Sequence, residues 1–140
     1  PELPAVARPN RVTGALNSAF EQHYLGLIPD VTDGTVTVLL DYDPKDSEAL
    51  RNNINFWVLD QDGLRRVVSG GRPEDYHLAT GVAVPFGADE GKLSATFTAS
   101  GRNEYTLIVY KNSDAPATYA LETRGGGLED NLGQVQPLLP

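Results

Sequence analysis

The residues of this chain best suited to chemistry are its carboxylates. Asp30, Asp33, Asp41, Asp43, Asp46, Glu48, Asp60 and Asp62 crowd one stretch, opposed there only by Lys45 and Arg51. A hard cation such as Ca2+ takes about six to eight oxygen ligands. Asp41, Asp43 and Asp46, at i, i+2 and i+5, have the spacing to supply several of them, and Asp60 and Asp62 form a second candidate pair. Asp60-Gln61-Asp62-Gly63 opens like an EF-hand loop, but Gly71 stands where such a loop needs its bidentate Glu. Asp also collects at strand ends as a turn and cap former. The acidic segment therefore has two readings, a calcium site or a set of turns.

Other chemistries find less support. His23 and His77 are too far apart in sequence to form an i, i+4 metal pair. No Gly-x-Ser-x-Gly elbow is present, and Ser69-Gly70-Gly71 reads as a turn. Paired carboxylates suit glycoside hydrolysis by residue type, but such an enzyme needs a cleft that a small sandwich has little chain to build. The expectation is a protein that is not an enzyme. Trp57 and Tyr110 lie opposite the better apolar faces of their strands, where they either make a platform that stacks on sugars or are covered by a second layer of protein, the reading that Leu59 and Ile108 on the same faces favour.

Composition narrows the partners. The 140 residues carry 19 acidic and 11 basic side chains, a formal net charge of −8. Such a chain is repelled by nucleic acid and by anionic membrane surfaces. No run approaches the roughly 18 apolar residues of a spanning helix, so membrane insertion is not expected either. The absence of both Cys and Met removes thiolate chemistry and suits an oxidising compartment, which points to an extracellular or cell-surface location.

The elements that would position these residues are strands. In Thr35 to Tyr42 the side chains Val36, Val38, Leu40 and Tyr42 alternate with the others, sending one face inward. Ile54, Phe56 and Val58 repeat the pattern and run into Asp60-Gln61-Asp62-Gly63, which predicts a hairpin to Leu64-Arg65-Arg66-Val67-Val68. Leu93, Ala95 and Phe97 predict a second hairpin with Tyr105, Leu107 and Val109 across Ser100-Gly101-Arg102-Asn103. Weaker strands fall at 12–16, 19–28, 76–84 and 117–123. Asp43 and Pro44 predict one short helical turn near 44–52. Eight or nine short strands without alternating helices predict an all-β fold, an antiparallel jelly-roll-like β-sandwich over residues 12–124. Residues 1–11 read as an extended N-terminal arm, and 125–140, opening on Gly125-Gly126-Gly127, as a C-terminal linker or tail.

With that strand order, the body resembles the bacterial pre-peptidase C-terminal domain and its jelly-roll relatives. The likeness rests on Gly14-Ala15-Leu16 followed by Phe20 and Tyr24, on Phe56-Trp57-Val58-Leu59-Asp60-Gln61-Asp62-Gly63, on Tyr105 through Asn112, and on Tyr119-Ala120-Leu121. It implies a non-catalytic module of a secreted or cell-surface protein, in some members calcium-binding. At Asn52-Asn53-Ile54-Asn55 this chain departs from the aspartate that the family often shows. Two functions are expected. The first is a structural or adhesive building block of the cell surface, joined to copies of itself or to another cell-surface protein. Apolar arm residues Leu3, Val6, Leu128, Leu132, Val135, Leu138 and Leu139 would make that joint by donating a strand to a neighbour. The alternative is a calcium-supported accessory module that binds polysaccharide or protein for a secreted hydrolase.

Overall fold

The structure, a computed structural model, describes residues 9–30, 33–100 and 104–129. They form two five-stranded antiparallel sheets packed face to face. In chain order the strands are β1 (Arg11–Leu16), β2 (Gln22–Pro29), β3 (Thr35–Asp43), β4 (Ile54–Leu59), β5 (Ala79–Thr80), β6 (Val82–Ala83), β7 (Leu93–Thr98), β8 (Tyr105–Lys111), β9 (Ala117–Arg124) and β10 (Gly126–Glu129). The first sheet has the order β1-β9-β3-β7-β6 and the second β10-β2-β8-β4-β5. The expected all-β antiparallel sandwich is the fold observed.

The core lies between the sheets and is built by alternation. Val36, Val38 and Leu40 of β3 point into it from one side, and Phe56, Leu107 and Val109 meet them from the other, all fully buried. β8 continues this inward row to Lys111, which is also 0% exposed. The Lys111 stem fills the end of the core, and its ammonium donates to Leu16 O at 3.0 Å and Ala115 O at 2.5 Å. One side chain thus ties the end of β1 to the segment that precedes β9.

Segments that change sheets close both open sides of the sandwich. On one side β5 pairs with β4 and β6 with β7, and the chain crosses at Gly81. The Asn55 amide holds that crossing, donating to Gly81 O and accepting from Gly81 N, both at 3.0 Å. On the other side the chain passes from β9 to β10 through Gly125. There φ is +91°, and a Cβ would stand 2.4 Å from Thr35 O. Pro9 and Asn10 reinforce that side, accepting from Leu128 N at 2.8 Å and Thr123 N at 2.9 Å. The sheets end in β1 and β6 and in β10 and β5, of which β5 and β6 are only two residues long, too short to template a foreign strand.

Four expectations are corrected. Asp60-Gln61-Asp62-Gly63 does not turn a hairpin; it starts a helix, α1 (Gln61–Val68). Asp60 is its N-cap, accepting from Gly63 N at 2.7 Å, while Asp62 sits in the first turn and bonds Arg65 and Arg66 at 2.6 and 2.9 Å. Gly63 has no positive φ; it is buried, and a Cβ there would stand 3.0 Å from Tyr76 O in the short helix α2 (Pro73–Tyr76). β7 and β8 are likewise no hairpin, since they lie in opposite sheets. β8 is buried on both faces for most of its length, which requires a central strand with protein on both sides. Residues 126–129 are not tail but strand β10, and Leu128 is 1% exposed within the core. Its side chain packs in its own domain and is not offered to a neighbour. The other arm residues, Leu3, Val6, Leu132, Val135, Leu138 and Leu139, lie outside the described residues. Finally, β5 and β6 are two short strands in different sheets rather than one strand over 76–84.

α1 supplies part of the layer expected over Trp57, and both Trp57 and Tyr110 stay half-buried. Leu64 and Val67, one helical turn apart on α1, pack on Tyr24, Leu59, Ile108 and Trp57 to make a second, smaller apolar cluster. Trp57 and Tyr110 stack at 3.8 Å between centroids and 11° between planes. Asp60→Ala should destabilise the domain by about 1 kcal/mol through loss of the cap, with Asp60→Ser recovering most of it. Equilibrium urea unfolding measures both; a Ser variant as weak as Ala would mean that the side-chain cap is not what Asp60 contributes.

Candidate functional site

Outward positions of three neighbouring strands form a broad face of the first sheet that no helix covers among the described residues. The registers set its rows: Arg11 beside Glu122 beside Leu39, then Thr13, Ala120 and Asp41, then Ala15, Thr118 and Asp43. The floor is therefore Thr and Ala, short side chains that let the face dip. Arg11 borders the dip on one side, and Asp41, Asp43 and Lys45 on the other. The result is an open trough of about 640 Å³. A second hollow, about 580 Å³, opens beside Pro9, Asp30 and Gly125–Gly127, next to residues that the structure does not describe.

Lys45 reaches back four residues from the β3–β4 connection to bond Asp41 Oδ1, and its Nζ stands 5.4 Å from the centroid of the Tyr42 ring. Asp41 is thus already neutralised, whereas Arg11 and Asp43 have no ion-pair partner among the described residues. Charges of both signs stand ready at the two margins of a floor with little polarity. Such a face suits a long, flat ligand that lies across strands. It lacks an enclosed cleft and any nucleophile poised beside a base.

The candidate metal residues are divided by the fold. Asp41 and Asp43 share the outer face of β3, as their spacing predicts, and Asp46 follows in the turn beyond. Asp60 and Asp62 belong to α1, over the other sheet, where one is a cap and the other binds two arginines. Asp60 and Asp62 were expected to converge across a strand face; on a helix N-terminus they take separate roles instead. Among the described residues no group of three or more His, Asp or Glu side chains is placed to hold a metal.

His23 is a β2 residue in a polar relay. Its Nε2 shares a hydrogen bond with Glu21 Oε2 at 2.7 Å, and its Nδ1 shares one with the Tyr119 hydroxyl at 2.8 Å. Burial pushes the Glu21 carboxyl upward, but bonds from Ser18 N, the His23 ring and Asn17 N outweigh it and hold the group below the ordinary glutamate range. The sequence signal for this cluster was Ser18-Ala19-Phe20-Glu21, a Ser-x-x-Glu box of the kind that satisfies loop N–H groups. Phe20, expected within a strand over 19–28, is instead in the loop before β2 and 71% exposed.

Similarity to solved structures follows this architecture. One match is the pre-peptidase C-terminal domain of a collagenase from Bacillus anthracis, with a TM-score of 0.58, 13% identity, and coverage of 85% of this chain and 91% of that one. The fold is that of a pre-peptidase C-terminal domain. Another match is PliG of Aeromonas hydrophila, a periplasmic inhibitor of g-type lysozyme, with a TM-score of 0.47, 14% identity, and coverage of 88% and 92%. No family model and no curated protein matches the chain. At 13% identity the likeness is one of fold and does not extend to the side chains of the trough.

Proposed function

We propose that this chain is a non-catalytic, extracytoplasmic binding domain that seats an extended polymer, polysaccharide or protein, on behalf of an associated secreted enzyme or surface protein. The observation that carries this reading is the trough, with its floor of Thr13, Ala15, Thr118 and Ala120 between Arg11 and Asp43. Its support from outside the chain is a fold shared with a domain of a collagenase. Asp41 and Asp43 act here as polar contacts to the ligand rather than as calcium holders, because Lys45 already occupies Asp41.

Ala120 lies mid-floor and partly exposed on the outer face. Ala120→Trp fills the trough without entering the core. Co-sedimentation with fibrillar collagen, chitin, cellulose and peptidoglycan tests the proposal. The parent is expected to pellet with at least one of these, and Ala120→Trp to bind it about tenfold less tightly at an unchanged thermal midpoint. Failure to bind all four, or equal binding by the variant, overturns the reading.

A further inference from the structure

The registers gather four connections at one end of the sandwich: residues 17–21, 44–53, 84–92 and 112–116. Two of them carry the most exposed large apolar side chains of the described residues, Phe20 at 71% and Phe86 at 77%. We propose that this loop end is a docking surface for a basic protein whose apolar pockets receive the Phe20 and Phe86 rings.

Phe20 is held out at a conformational cost. Its φ is +61°, a left-handed conformation that a bulky residue takes only at the expense of stability. Most of the residue faces solvent, so little burial offsets that strain. The mount is nonetheless firm. Glu21 Oε1 accepts from Asn17 N at 2.7 Å and Ser18 N at 2.9 Å, Glu21 N donates to Ser18 O at 3.3 Å, and His23 anchors the other carboxylate oxygen. An aromatic side chain presented on a rigid backbone loses little freedom on binding and makes an effective interface anchor.

Phe20 lies in the connection from β1 to β2 and Phe86 in that from β6 to β7, so the two rings stand on separate loops of one end and suit a partner broad enough to contact both. The charge between them selects the partner. Asp43, Asp46, Glu48, Glu90 and Asp114 have no cation partner among the described residues, against one unpaired base there, Arg51; Lys45 and Lys92 are taken up by Asp41 and Asp89. The excess negative potential attracts a basic surface and repels an anionic membrane.

The test is selection of phage-displayed cyclic peptides on the immobilised parent domain at low salt, followed by affinity measurement on Phe20→Gly, Phe86→Ser and Ala120→Trp. The expected peptides are rich in Lys, Arg and apolar residues. They bind Phe20→Gly and Phe86→Ser at least about tenfold more weakly, weaken as salt rises, and bind Ala120→Trp normally. Phe20→Gly relieves the strain, so its thermal midpoint is expected to equal or exceed the parent's while its affinity falls. That opposition separates docking from misfolding. Peptides indifferent to both Phe variants, acidic peptides, or no enrichment would overturn the proposal. Loss on Ala120→Trp alone would assign the peptides to the trough and would also overturn it.

Discussion

Truncating Lys111 to alanine is expected to destabilise the domain by about 3 to 5 kcal/mol. Two losses combine. The side chain is fully buried, so removing its stem leaves a void at the end of the core. The ammonium also donates to Leu16 O and Ala115 O, and both of these charge-assisted bonds would be lost. Lys111→Met separates the two contributions because it keeps most of the stem and removes only the donors. It should cost about 2 to 3 kcal/mol, most of it from the two lost charge-assisted bonds. Equilibrium urea unfolding followed by far-ultraviolet circular dichroism gives both values. A methionine variant as stable as the parent would show that the ammonium contributes nothing there beyond its stem.

Gly125→Ala should cost a further large amount, about 2 to 4 kcal/mol. The left-handed φ of +91° accounts for the smaller share. The larger is steric, because a Cβ at 2.4 Å from Thr35 O meets backbone, which cannot swing away like a side chain. Relief requires moving the first residue of β3 or opening the bond from Asp30 N to Gly125 O. Either change disturbs the crossing by which β10 reaches the second sheet. The same unfolding measurement applies, and Gly70→Ala is the control, because its φ of +109° is equally left-handed and a Cβ there meets nothing within 4 Å. Equal costs for the two would assign the effect to backbone conformation alone and remove the steric share.

Alternation made much of this fold legible. The inward row of β3 and the row of Ile54, Phe56 and Val58 in β4 stand where a period of two puts them, because each is buried on one face. The errors arose where one local pattern supports two structures. Asp60 to Gly63 has the residues of a tight turn, yet also those of a helix N-terminus, and Leu64 and Val67 decide for the helix because a bare apolar face of the second sheet needs cover. Lys111 follows the inward parity of Tyr105, Leu107 and Val109, but a charge at a strand end reads as solvent-facing until its carbonyl partners are known. Leu128 sits among glycines, and its burial depends on pairing with β2, a strand about a hundred residues away.

The trough was hidden for a related reason. Asp41 and Asp43 drew notice as carboxylates, but its floor comes from residues 13–15 and 118–120, and only the order β1-β9-β3 sets them side by side. Thr and Ala carry no chemical signature of their own. Phe20 was concealed differently, because an aromatic residue next to a strand is ordinarily assigned to it, and only the Glu21 bonds show that the chain has turned.

The sole tryptophan of the chain occupies the small outer cluster beneath α1, stacked on Tyr110, and not the main core. Intrinsic fluorescence is therefore a local reporter. Its emission answers to how α1 sits on the second sheet, while ellipticity answers to the ten strands. A helix that lifted away with the sandwich intact would register in one optical signal and not in the other. For this protein, agreement between the two curves is a measurement of how firmly the helical cover is coupled to the sheets.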